Sequence, residues 1–137
     1  MLLHKKLERS DKTVEYFSFH NYECLAKVVH VYDGDTVHLV LPQQETDKLI
    51  KIKARLYGID TPEMRVPEQK ERALKAKERL IEFLQKTNYI VHIKCGEFDK
   101  YGRVLVTIYS TEFNKSLNDM LIEEGHAYAY FGKTKIK

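Results

Sequence analysis

The stretch that decides the fold runs Asp33-Gly34-Asp35-Thr36-Val37-His38-Leu39-Val40-Leu41, and resumes as Ile50-Lys51-Ile52-Lys53-Ala54-Arg55-Leu56-Tyr57-Gly58-Ile59-Asp60-Thr61-Pro62-Glu63. Asp-Gly ahead of an alternating run is a turn signal followed by a half-buried strand. Val37, Leu39 and Leu41 share one face, with Thr36, His38 and Val40 on the other. After the loop Pro42-Gln43-Gln44-Glu45, residues Ile50, Ile52, Ala54 and Leu56 form the apolar face of the next strand. Lys51, Lys53 and Arg55 form its other face, so Arg55 projects away from the core, where it can meet a ligand.

Outward from that pair, the chain keeps the same grammar. Residues 22–32 are rich in strand formers and lead into the Asp33-Gly34 turn. Alternation returns at Tyr89, Val91, Ile93 and Cys95, and again at Val104, Val106 and Ile108. Asp99-Lys100-Tyr101-Gly102-Arg103 makes the tight connection between them. Between the third and fourth strands the period changes. Ala73, Ala76, Leu80, Ile81 and Leu84 recur at helical spacing over residues 67–86, with Pro67 in the first turn. The charges around that stripe are of both signs and read as a solvated face laced with ion pairs. A second, short helix starts at Ser116, with Asp119 in a capping position, Leu117, Met120 and Leu121 as its apolar face and Gly125 as its stop. Five short strands cannot cover both faces of so small a sheet, and closure into a barrel removes its edges. The expected class is α+β, mainly β: a five-stranded barrel, a long helix between strands three and four, and a short helix after strand five.

Composition sets the outer limits. The chain has 137 residues, 43% hydrophobic and 31% charged, with a formal net charge of +3. That suits one domain with a real core. The mild basic excess permits a nucleic-acid partner without demanding one. Cys24 and Cys95 belong to no CxxC pattern and read as reduced core thiols. The six histidines follow no zinc spacing. The start of the chain lacks an apolar signal region, and no run approaches the ~18 apolar residues of a membrane span. A soluble, intracellular, monomeric protein is expected. Residues 1–20 read as a leader whose aromatic end, Tyr16, Phe17 and Phe19, packs onto a domain covering residues 21–137.

Three carboxylates stand out: Asp35 after its turn, and Asp60 and Glu63 after the third strand. Close together and unbalanced they repel, by about 4 kcal/mol for a pair ~4 Å apart at an effective dielectric of 20. A hard, oxygen-seeking divalent cation reverses that sign. The Thr61 carbonyl is a further oxygen donor. An arginine fork suits phosphate. Singly, each residue has a structural reading: Asp33 in a turn, Thr-Pro-Glu opening a helix, Arg103 as an edge-strand charge. Their joint occurrence points to phosphodiester chemistry.

The joint pattern resembles the staphylococcal nuclease (thermonuclease) family over about residues 22–131. The resemblance rests on DGDT at 33–36, RLYGIDTPE at 55–63, DKYGR at 99–103 and LNDMLIEEG at 117–125. It implies an OB-fold barrel and a calcium-dependent phosphodiesterase acting on DNA and RNA, single strands preferred, with 3′-phosphate products. By matched position, Asp35, Asp60 and the Thr61 carbonyl look like calcium ligands. Glu63 looks like the residue that orients or deprotonates the attacking water. Arg55 and Arg103 look like the pair that grips the scissile phosphate, and Lys100 and Tyr101 like contacts to a neighbouring phosphate. The family's paired tyrosines near the base are only loosely matched by Tyr128, Tyr130 and Phe131. The best-known members are secreted and continue into a further C-terminal helix, for which Tyr16, Phe17 and Phe19 are expected to substitute.

Two rival functions belong to other classes. A non-catalytic OB-fold nucleic-acid-binding module should have lost carboxylates or arginines, whereas Asp35, Asp60, Glu63, Arg55 and Arg103 are all present. A calcium-regulated interaction protein would need a dedicated calcium loop, and no EF-hand pattern occurs.

Overall fold

A computed structural model describes residues 2–110 and 115–132. Five strands close a barrel: β1 (Glu23–Val31), β2 (Thr36–Pro42), β3 (Leu49–Leu56), β5 (Ile90–Phe98) and β6 (Val104–Tyr109), in the order β1-β2-β3-β6-β5. Two short strands, β4 (Ile59–Asp60) and β7 (Tyr128–Ala129), pair antiparallel outside it. All barrel contacts are antiparallel except β3 with β6, which run parallel over Ala54↔Val104, Arg55↔Leu105 and Leu56↔Val106. Register shifts in β1 (Val28/His30) and β5 (Cys95/Phe98) supply the extra bend that a small closed sheet requires. The architecture is the expected mainly-β barrel with helices, consistent with an OB-fold-like arrangement.

Alternation in sequence becomes inside and outside in space. Val37, Leu39, Leu41, Ala54 and Leu56 are fully buried. Each such Leu or Val contributes about 1.5–3 kcal/mol by leaving water. Lys51 and Lys53 are exposed on the outer face. Both cysteines are free, Cys95 buried and Cys24 half-buried.

The long helix begins as a 3-10 turn, Pro67–Gln69, and continues as α2 (Lys70–Gln85). Its buried stripe is Ala73, Ala76, Leu80, Phe83 and Leu84. Phe83 takes the core place expected of Ile81, which packs at the core's edge. Arg79 lies over the Phe83 ring at 4.1 Å and forks onto Glu124, so the helix face is ion-paired. α3 (Leu117–Glu123) is capped at Ser116, whose hydroxyl accepts the Asp119 N–H. Gly125, at φ +79, ends it in the left-handed conformation that lets His126 N–H reach back to Leu121 O.

Helix and core contacts both occur ahead of β1. Leu2–Arg9 form helix α1, none of whose residues is buried. Phe19 is 4% exposed and lies in the core cluster, with Phe17 edge-on against it and Phe98 and Tyr22 nearby. Tyr16, by contrast, is 98% exposed and covers nothing. Among the described residues no helix is long and apolar enough to cross a membrane.

Candidate active site

The β1–β2 turn builds one half of the site. Asp33 Oδ1 accepts the Asp35 N–H at 3.0 Å, and the N–H groups of Tyr32 and Asp33 both reach Thr36 O. Gly34 is required by space: a Cβ there would lie 2.9 Å from Thr61 Cγ2 and 3.0 Å from Ala76 Cβ. The turn therefore presses against both the 60s loop and α2, and Asp35 is held inside, 4% exposed.

The other half comes from the end of β3. Thr36 and Arg55 are cross-strand partners, which sets the guanidinium beside Asp35. Arg55 Nη1 lies 3.1 Å from Asp35 Oδ1, and Nη2 donates to Asp60 Oδ1 and to Ile59 O, each at 3.1 Å. One guanidinium thus holds both carboxylates. Thr61 closes the far side: its N–H and its hydroxyl donate to Asp35 Oδ2 at 3.1 and 3.0 Å. The Thr36 hydroxyl donates to Asp35 Oδ1 at 3.1 Å.

Charge follows this geometry. Burial pushes Asp35 up, but Arg55 and the hydrogen bonds from Asp33 and Thr61 outweigh it and leave the carboxyl below its ordinary value. Asp33 goes the other way, pushed up to about 6 by its own burial and by the Asp35 charge. Arg55 loses solvation yet is held above its ordinary value by Asp35 and Asp60. Two carboxylates, Asp35 and Asp60, meet one guanidinium, so negative charge is in surplus and the side-chain donors beside it are oxygens. That set fits a hard divalent cation. Among the described residues no three His, Cys, Asp or Glu side chains converge as a ready metal cage. Two carboxylates, Asp35 and Asp60, are brought together there by Arg55.

Arg103 enters from the β5–β6 turn. Its Nε donates to Asp99 Oδ2 at 2.7 Å, and its Nη1 donates to the Thr36 hydroxyl at 3.3 Å. Thr36 therefore links Arg103 to Asp35, and through it to Arg55. The turn is tied internally by Asp99 Oδ1, which accepts the N–H groups of Tyr101 and Arg103. Burial raises the Asp99 pKa, but those backbone bonds and the Arg103 side chain outweigh it and leave the group below its ordinary value.

A cleft of about 520 Å³ opens over these groups, lined by Arg55, Asp60, Glu63, Asp99, Lys100, Tyr101 and Arg103 on its polar side. Tyr130 and Phe131 line it too, and Phe131 meets Tyr57 edge-on at 5.6 Å. Tyr128 does not; its hydroxyl accepts a bond from Arg72 in a separate hollow. Lys100 and Arg103 both lie over the exposed Tyr101 ring, at 5.3 and 5.4 Å. Glu63 stands apart from the Asp35–Arg55–Asp60 group, exposed at the cleft wall. Its N–H is fixed by Gln69 Oε1 at 2.9 Å, and its nearest cation is Arg65 at 3.9 Å.

The structure thus gathers Asp35, Asp60, Thr61, Arg55 and Arg103 into one connected network, with Glu63, Lys100 and Tyr101 around the same cleft. Sequence reasoning missed Thr36, Asp99 and Gln69, which hold the others. Asp99, four residues before Arg103 across a glycine turn, carried a legible signal; Thr36 and Gln69 gain partners only through the tertiary fold.

No curated protein matches the chain. The family model described as staphylococcal nuclease homologue matches residues 53–137. The match includes Arg55, Asp60, Thr61, Glu63, Lys100, Tyr101 and Arg103, and begins after the Asp35 turn that the barrel brings beside them. The chain belongs to the staphylococcal nuclease homologue family.

Proposed function

We propose that this protein is a calcium-dependent nuclease that hydrolyses phosphodiester bonds of DNA and RNA as a monomer, preferring single strands and leaving 3′-phosphate ends. One observation carries the reading: a single guanidinium, Arg55, clasps the buried carboxylate of Asp35 and the half-buried one of Asp60 beneath a cleft that also holds Arg103 and Glu63. Asp35, Asp60 and the Thr61 carbonyl would hold calcium, which supplies Lewis-acid stabilisation of charge on a phosphoryl oxygen. Glu63 takes the proton of the attacking water. The water oxygen bonds to phosphorus, the bond from phosphorus to the 5′-oxygen breaks, that oxygen takes a proton from solvent water, and the phosphate stays on the 3′ side. Arg55 and Arg103 bond the non-bridging oxygens and the charge that grows on them. Lys100 and Tyr101 rest on the next phosphate. Sequence preference is slight, because such contacts read the backbone and not the bases.

The test is cleavage of single-stranded DNA with calcium, with magnesium and with a chelator, beside the Glu63→Gln variant. Calcium-dependent cutting, reduced about 10² to 10⁴-fold in the variant, is the expected result. Salt-sensitive binding with no cutting under any metal would instead make this a non-catalytic nucleic-acid-binding module.

A further inference from the structure

Between the site and α2 the chain runs Thr61-Pro62-Glu63-Met64-Arg65-Val66-Pro67-Glu68-Gln69, with no glycine to loosen it. The two prolines fix their own φ and bias the residues before them to extended backbone; Val66 is found at φ −93, ψ 113. Glu63 sits inside this stiff segment with both backbone groups engaged. Its N–H donates to Gln69 Oε1 at 2.9 Å, and its carbonyl accepts the Val66 N–H at 3.2 Å. The Gln69 N–H donates in turn to Val66 O at 2.9 Å. The Glu63 carboxylate has a looser hold. It is 48% exposed and lies 3.9 Å from Arg65, itself 89% exposed, and such a solvated pair fixes little. The place of this carboxylate is therefore set by its backbone.

Gln69 is itself well placed to act as a fixed point. It ends the 3-10 turn, caps α2 and is half-buried. One turn on, Ala73 and then Ala76 are buried. Ala76 is also one of the groups that a Cβ on Gly34 would strike, so α2 lies directly against the turn that carries Asp35. The same helix thus meets the Asp35 turn through Ala76 and the Glu63 backbone through Gln69. A rigid element referenced to both carboxylates is what holds a catalytic geometry better than a free loop does.

We infer that Gln69 is a positioning residue for Glu63: its side-chain oxygen locks the Glu63 backbone to the start of α2, and so fixes where the water-activating carboxylate stands relative to Asp35. The inference rests on the nuclease reading. Gln69 touches neither substrate nor the reacting atoms and acts through Glu63. A displacement of about 1 Å in such a group can cost up to about 10² in rate, which sets the scale of the effect.

The experiment compares Gln69→Met, which keeps the length of the side chain without its oxygen, with Gln69→Glu, which keeps an acceptor at the same reach. Single-turnover cleavage of single-stranded DNA with calcium should fall about 10- to 100-fold in the Met variant, in kcat and not in KM, and the Glu variant should recover most of that loss. In a Glu63→Gln background, Gln69→Met should cost nothing further, because no carboxylate remains to be placed. Amide hydrogen exchange gives a readout apart from activity. The Glu63 N–H should exchange about tenfold faster in the Met variant, the scale of one hydrogen bond, and stay protected in the Glu variant. The inference is overturned if Gln69→Met turns over normally, if KM rises in place of the fall in kcat, if the Glu variant does no better than the Met variant, if the loss is the same in the Glu63→Gln background, or if the Glu63 amide is unaffected. Wild-type protein that cuts nothing removes the nuclease reading and this role with it. Calcium-dependent cutting that Glu63→Gln abolishes and Gln69→Met leaves intact removes this role alone.

Discussion

Asp99 and Arg103 face each other across a glycine turn and are joined twice: the carboxylate accepts the Arg103 Nε at 2.7 Å and the Arg103 backbone N–H at 2.9 Å. The arginine is aimed by a residue with no part of its own in the proposed chemistry. Asp99→Asn keeps the shape but weakens the charge-assisted bond. It should lower kcat about tenfold or more, since a transition-state donor is displaced, with little change in KM. Stability adds a pH signature. The folded Asp99 pKa is lowered, so its contribution is full above the unfolded value near 4 and is lost as pH falls through the folded value. Urea melts of wild type and variant should differ at pH 7 and converge in strong acid; a constant difference would deny Asp99 this role.

Arg55 bridges Asp35 and Asp60. Arg55→Ala leaves Asp35, only 6% exposed at its side chain, with an uncompensated charge. Breaking such a pair from one side costs about 3–5 kcal/mol, and the melting temperature should fall accordingly. Loss of the phosphate grip should cost at least ~10² in turnover. Calcium should raise the melting temperature of the variant more than that of the wild type, because it restores positive charge where the guanidinium was. Equal calcium shifts would separate the cation from Asp35 and Asp60.

Asn118 anchors the barrel's parallel seam. Its Oδ1 accepts the Ile108 N–H, and its Nδ2 donates to Tyr57 O and Val106 O. Asn118→Ala strands buried backbone groups, each worth about 1–3 kcal/mol. A drop of about 2–4 kcal/mol in unfolding free energy is expected from chemical denaturation, with cleavage falling in step with the folded fraction.

Phe19 and α1 should part company. Phe19→Ala empties a core position and should cost about 3–5 kcal/mol, whereas removing residues 2–12, none of them buried, should leave the melting temperature nearly unchanged. If both changes act alike, α1 is bound more firmly than its exposure indicates.

The barrel was legible where burial imposes a period of two. Residues 36–41 and 50–56 declare inside and outside one by one, and the structure follows them. Asp119 under Ser116 and Gly125 at the helix end were legible because caps are local chemistry. The β4–β7 pair was not: two residues a side carry no period. Nor was the parallel β3–β6 contact, since alternation says which face a side chain takes but not which strand lies alongside. Phe83 outranked Ile81 because the helix turns its stripe toward the barrel by the actual packing angle. In the candidate site, the motif named Asp35, Arg55 and Arg103; it could not reveal that the Thr36 hydroxyl joins them, a contact between residues 67 apart in sequence.

The parallel seam has a kinetic meaning. Ala54 meets Val104 only after the whole of α2 and β5 has been made and folded back, so closing that contact carries a large loop-closure cost and comes late. Arg55 lies on the seam and Arg103 immediately before it. A chain caught with its hairpins formed but its barrel open would have Arg55 beside Asp35 and Arg103 beside Asp99, but not the Thr36–Arg103 bond that joins the two halves. Recovery of the Arg55–Asp35–Thr36–Arg103 network therefore times the last event of folding, not the first.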